Sequence, residues 1–185
     1  VNLAVFLLWK VKRLNNVMWR YFSSSFASRS LCLPMAFSMF SHYSAVHLAL
    51  NMYVVLSFTN VTVNNFLGPD QFWALFLTAG LVSSLFGIAH KAVLKSSIRA
   101  VGASGAILGM LGYTCMRIPD ARLKILFIPG FDFSAQSAIV GILVFDIAGL
   151  LLRFRMFDHA AHIGGTLFGV YFNYATYLVF ATFIR

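Results

Sequence analysis

The chain has 185 residues, 60% of them hydrophobic and 10% charged, with a mean hydropathy of +0.82. Water-soluble domains carry about 25% charged residues, so this composition excludes them and describes a polytopic all-α membrane protein. The net charge of +9, with no glutamate, could suit nucleic acid, but the basic residues gather between apolar segments, where they meet lipid headgroups, and no nucleic-acid partner is expected.

One domain over residues 1–185 and six helices are expected. Val1–Trp9 is apolar but shorter than the roughly 20 residues of a span, and reads as the tail of a first helix that starts upstream. From Lys10 to Arg29, apolar residues recur at helical spacing among five cations, which predicts an amphipathic element in the interface, anchored by Trp19 and Tyr21. The second helix covers about His42–Thr59 and places His47 and Asn51 four apart, on one face. Asn60–Asp70, with Gly68-Pro69, reads as a polar turn. The third helix covers about Asp70–Ala89, and His90, Lys91, Lys95 and Arg99 then form a basic loop, with His90 solvated.

The fourth helix, about Gly102–Met116, opens on Gly102-Ala-Ser-Gly105. Ser104 thus lies at a helix N-terminus where backbone N–H groups lack helical partners and suit an anion. Two readings stay open here: an N-cap serine in a close-packing seam, or a nucleophile beside oxyanion donors. Arg117–Ser134 reads as a mixed loop. The fifth helix, about Ala135–Leu152, buries Asp146, which must be paired or protonated. A structural hydrogen bond is the preferred reading there over proton transfer. The sixth helix, about His159–Phe180, carries His162 and the pair Gly165 and Gly169, which permits close helix approach. His159 reads as a polar cap at its entrance. Cys32 and Cys115 are isolated, and no disulfide, metal site or cofactor is expected.

If the six helices alternate in direction, the second, fourth and sixth start on one face of the membrane. His47, Ser104 and His162 then share one depth. Of the 14 Lys and Arg residues, only Arg117, Arg122, Lys124 and Arg185 fall on the opposite face, so the positive-inside rule turns the site toward cytoplasm or matrix. Chemically, His162 is the best-placed base for Ser104. No acid is evident for it from spacing, although Asp158 is one turn away. The Ser104 N–H, His47 and the Asn51 amide would stabilise an oxyanion. A substrate helix would have to unwind to be cut, because its carbonyls are already hydrogen-bonded.

The motifs His47-x-x-x-Asn51, Gly102-Ala-Ser104-Gly105 and Ala161-His162-x-x-Gly165-x-x-x-Gly169, with Trp19-Arg20, resemble the rhomboid family of intramembrane serine proteases over nearly the whole chain. Arg20-Tyr-Phe22, Phe40-Ser-His42, Asn51-Met-Tyr-Val54 and Phe157-Asp-His-Ala-Ala-His162 are similar to its mitochondrial branch. The resemblance implies a six-helix core with a further helix upstream, Ser104 as nucleophile and His162 as general base. It places His47, Asn51, Gly102 and the Ser104 N–H at the oxyanion. It also implies residence in the mitochondrial inner membrane and single-span membrane proteins as substrates. Many bacterial members stack a Tyr on the base one turn after the serine; Leu108 stands there, so something else must hold His162. Inactive relatives that bind helices without cutting normally lose the serine or the histidine, and both are present. A haem or metal site on His47, His159 and His162 lacks the usual HExxH or Cys pattern.

Overall fold

The computed structural model describes residues 1–124, 130–154 and 156–183. Five helices correspond to the second to sixth predicted ones: α4 (Ala45–Thr62), α5 (Gly68–Val93), α6 (Ser104–Arg117), α7 (Ala135–Leu151) and α8 (His159–Phe183). Before them run α1 (Asn2–Leu8), α2 (Asn15–Tyr21) and α3 (Cys32–Ser38). Apolar side chains such as Val46, Leu56, Val144, Leu151 and Tyr171 stay exposed on the outer faces, as lipid-facing surfaces require.

The centre of the bundle is α6, which packs most extensively on α8 and α5 and also touches α4 and α7. Its Gly105, Ala106, Ile107, Gly109, Met110, Gly112 and Tyr113 are buried. A Cβ at Gly165 of α8 would collide with the Gly105 carbonyl oxygen, and one at Gly169 with that of Gly109. The two helices therefore meet main chain to main chain, a contact that only hydrogen at Cα permits. On the α5 side, a Cβ at Gly105 would overlap the Ser83 side chain. Thr62 of α4 and Thr114 of α6 share a hydroxyl hydrogen bond of 2.7 Å.

Several segments differ from expectation. Asn60–Asp70 is not a loop: α4 continues to Thr62, and a single π-helical turn, Val63–Leu67, leads straight into α5. Gly68 has φ +69° at that junction, and Asn64 Nδ2 donates to Asn60 Oδ1 at 2.6 Å, so the polar residues are used inside a helical path. His90 lies in the last turn of α5, half-buried, rather than in a solvated loop. Within Arg117–Ser134, β1 (Arg122–Lys124) and β2 (Asp132–Ser134) form a small antiparallel hairpin. There the Arg122 guanidinium hydrogen-bonds the exposed Asp132 carboxylate and holds its pKa below the usual range. Within the interfacial stretch Lys10–Arg29, a 3-10 turn over Lys12–Leu14 leads into the short α2, and α3 follows beyond it. Trp9 is buried there, with Trp19 and Tyr43 edge-on at 4.9 and 5.4 Å, and its indole N–H donates to Ser41 Oγ at 2.7 Å.

Replacing Gly169 by alanine tests the α6–α8 seam. Alanine improves helix propensity by about 0.8–1.0 kcal/mol, but the group it meets is a main-chain carbonyl, which cannot swing aside. The clash is expected to win, costing about 1–3 kcal/mol, read as a lower melting temperature in detergent micelles.

Candidate active site

The approach to α6 is held on several sides before the serine is reached. Arg99 donates to the Trp19 carbonyl at 2.7 Å and to Ser23 Oγ at 3.2 Å. Ser24 and Ala100 exchange both main-chain hydrogen bonds at 2.9 Å. The Gly102 N–H donates to the Ser38 carbonyl at 3.0 Å, and the Ala103 N–H to His42 Nε2 at 3.4 Å. Gly102 has φ +135°, a conformation that favours glycine. A Cβ there would stand 2.7 Å from Cε1 of His47.

Ser104 is the first residue of α6 and is half-buried. Its Oγ lies 3.0 Å from Nε2 of His162, in the first turn of α8. The two residues are 58 positions apart, and the glycine seam below them sets the spacing of their helices. The Ser104 N–H belongs to the first turn, where no carbonyl four residues back is available. Asn51, in the second turn of α4, is 7% exposed, and its Nδ2 finds no acceptor among the described residues. The half-buried His47 meets the buried His42 edge-on at 5.1 Å. Gly102 differs from expectation, because its N–H is already given to Ser38. What it contributes is room for the His47 ring rather than a donor.

The acidic neighbour of His162 is Asp146 of α7, whose Oδ1 lies 3.2 Å from His162 Nδ1. Asp158 instead pairs with Lys91 at the end of α5, and its carbonyl accepts the His162 N–H at 3.0 Å. Nor is His159 a polar cap: it is 3% exposed, and its Nδ1 lies 2.7 Å from the same Asp146 Oδ1. Phe157 packs beside His162, with centroids 6.0 Å apart. With Leu108 where a stacking ring would stand, Asp146 and Phe157 are the groups that fix the imidazole.

A serine and an imidazole are thus in hydrogen-bond contact at the mouth of a helix. A rhomboid-domain family model matches residues 15–179. This chain belongs to the rhomboid family. It is 46% identical over 176 residues to the human "Presenilin-associated rhomboid-like protein, mitochondrial", covering 95% of this chain and 46% of that protein. It is 42% identical to "Presenilin-associated rhomboid-like protein A, mitochondrial" of Danio rerio, over 93% of this chain and 45% of that protein. Identity to "Rhomboid protein 1, mitochondrial" of Saccharomyces cerevisiae is 30%, over 94% and 50%. The chain spans about half the length of the curated relatives it matches.

Sequence reasoning about this rhomboid missed the pairing of Asp146 with two imidazoles. Its signal was present: a carboxylate inside a span, and two histidines three apart, on one helical face, opening the next helix. It also missed Ser38 and His42 as the partners of the Gly102 and Ala103 amides, which spacing cannot reveal. Gly102→Ala is expected to strain the backbone and displace the His47 ring, costing about 1–3 kcal/mol, measured by thermal unfolding in micelles.

Proposed function

We propose that this rhomboid is an intramembrane serine endopeptidase of the mitochondrial inner membrane, cleaving single-span membrane proteins within or near their transmembrane helix. The observation that carries the reading is the 3.0 Å contact between Ser104 Oγ and His162 Nε2, within the reach a nucleophile and its base require. Its curated relatives are named as mitochondrial rhomboid proteins, which supports the location.

In the forward step, Ser104 Oγ bonds to the scissile carbonyl carbon while its proton passes to His162 Nε2. The carbonyl oxygen becomes an oxyanion, stabilised by the Ser104 N–H, the Asn51 amide and His47. The imidazolium then gives that proton to the leaving nitrogen as the C–N bond breaks. Water, activated by the same imidazole, hydrolyses the acyl-serine and restores both groups. Asn51 suits its role because its buried N–H has no other partner to lose among the described residues. No cofactor is required.

A substrate helix needs an apolar route to this site. A cavity of about 360 Å³ is lined by Tyr53, Val54 and Phe58 of α4, Leu111 and Cys115 of α6, Ala138, Ile139 and Ile142 of α7, and Leu123, Lys124 and Phe133 of the hairpin. None of Ser104, His162, His47 or Asn51 lines it; Leu111 and Cys115 lie two to three turns of α6 beyond the serine, so it is the place where the part of a transmembrane segment beyond the cut would rest between α4 and α7. Phe154, Met156 and Phe157, in the segment before α8, would exclude water above it.

In liposomes holding a single-span substrate, Ser104→Ala and His162→Ala are each expected to lower turnover by about 10⁴-fold or more without loss of fold. Cleavage that survives Ser104→Ala contradicts the assignment. Asn51→Ala should cost about 10²–10³ in kcat. Ala138→Trp, which fills the cavity, should slow cleavage of the membrane-embedded substrate. It should leave labelling of Ser104 by a small fluorophosphonate intact; equal slowing of both reactions speaks against this route.

A further inference from the structure

One carboxylate oxygen, Asp146 Oδ1, serves two imidazoles: His159 Nδ1 at 2.7 Å and His162 Nδ1 at 3.2 Å. Asp146 is 1% exposed and the His159 side chain 2%. A carboxylate so deeply buried is costly unless hydrogen-bonded. Building on the proteolytic reading, we propose that Asp146 and His159 are positioning residues for His162: Asp146 fixes the tautomer and angle of the base, and His159 fixes Asp146.

The tautomer follows from the hydrogen-bond inventory. To accept the serine proton, His162 Nε2 must present a lone pair, so its hydrogen sits on Nδ1. That N–H then donates to Asp146 Oδ1. Once the proton has moved, the imidazolium faces a carboxylate in a dry pocket, and the attraction is stronger there than before transfer. A buried carboxylate therefore favours the transition state over the resting state. An acid that could rotate would lose this advantage, and the shorter bond from His159 opposes rotation. The fold makes room for that bond: the His159 ring lies against Gly149, where any Cβ would overlap it. Asp146 and Gly149 are three apart, so one face of α7 supplies both the acceptor and the space.

Among the described residues, aromatic rings surround the pair and the nearby acid is already engaged. Phe145, Phe157 and Phe154 stand around the His159 ring at centroid distances of 5.5, 6.0 and 6.2 Å. The neighbouring acid, Asp158, is engaged by Lys91. His159 Nε2 is buried and has no partner among the described residues, so the polar anchor of this ring is Asp146. That is the arrangement of an orienting strut rather than of a second base, because the ring faces the carboxylate and not the serine.

The test compares wild type, Asp146→Asn, His159→Leu, His159→Asn and the double variant Asp146→Asn/His159→Leu in liposomes. It reads kcat and KM for a single-span substrate, fluorophosphonate labelling of Ser104, and thermal unfolding. Asp146→Asn is expected to lower kcat by about 10²- to 10⁴-fold, with KM little changed. His159→Leu should lower kcat by about 10- to 100-fold. His159→Asn, whose amide nitrogen takes the position of Nδ1 and can still donate to Asp146, should recover most of that loss. In the double variant, His159→Leu should add little to the loss already caused by Asp146→Asn. A kcat within twofold of wild type for Asp146→Asn and His159→Leu would overturn the inference. So would a His159→Asn variant as impaired as His159→Leu at equal melting temperature, or a leucine penalty that is the same in both backgrounds. A wild-type chain that neither cleaves nor labels at Ser104 would overturn the proteolytic reading, and this inference with it.

Discussion

The arrangement depends on one close approach, of the α6 and α8 backbones at Gly105–Gly165 and Gly109–Gly169. Helix packing in lipid gains nothing from hydrophobic exclusion between helices, so it relies on contact area and on groups small enough to permit it. Here the glycines let the two main chains touch, and that fixes how far apart the first turns of α6 and α8 can be. Ser104 and His162 sit on those turns. A bulkier seam would move the helices apart by about the width of a methyl group, and a hydrogen bond of 3.0 Å does not survive such a displacement.

Lateral packing sets the distance, but the depth and rotation of Ser104 are set from above. The loop before α6 makes main-chain hydrogen bonds to Ser24 and Ser38, donates the Ala103 N–H to His42 Nε2, and donates from the Arg99 guanidinium to the Trp19 carbonyl. Each removes a backbone group that would otherwise compete for the same space or the same water. The short helices α2 and α3 therefore act as a collar on the serine loop as well as an interfacial element. The charges that sequence reasoning assigned to lipid headgroups include at least one, Arg99, with a structural task inside the protein.

The main helices of the fold were legible in the chain because the signals were long and redundant. Apolar runs interrupted by cations and Gly-Pro marks located α4 to α8 to within a few residues. The convergence of His47, Ser104 and His162 on one face followed from the alternation of helix direction. What was not legible depends on pairing across elements. The π-helical turn at Val63–Leu67 absorbs Asn60 and Asn64 into a helical path, although their composition reads as a loop. The hairpin at Arg122–Lys124 and Asp132–Ser134 is too short to show a period. Asp158 is nearer to His162 in sequence than Asp146 is, yet α5 supplies Lys91 to it, and the deeper carboxylate on α7 is left to meet the imidazoles. Gly102 carries the composition of a donor site, but its amide is taken by Ser38. Local sequence proposes candidates; which of them meet is decided by how neighbouring helices face one another.

A covalent bridge tests the central contact most directly. Wild-type protein in lipid is treated with a reagent that acylates an active serine and then alkylates an imidazole within reach, and the adduct is mapped by mass spectrometry. A single adduct joining the peptides that carry Ser104 and His162 is expected, absent from Ser104→Ala. Labelled Ser104 with no link to His162, or a link to a different residue, would contradict it.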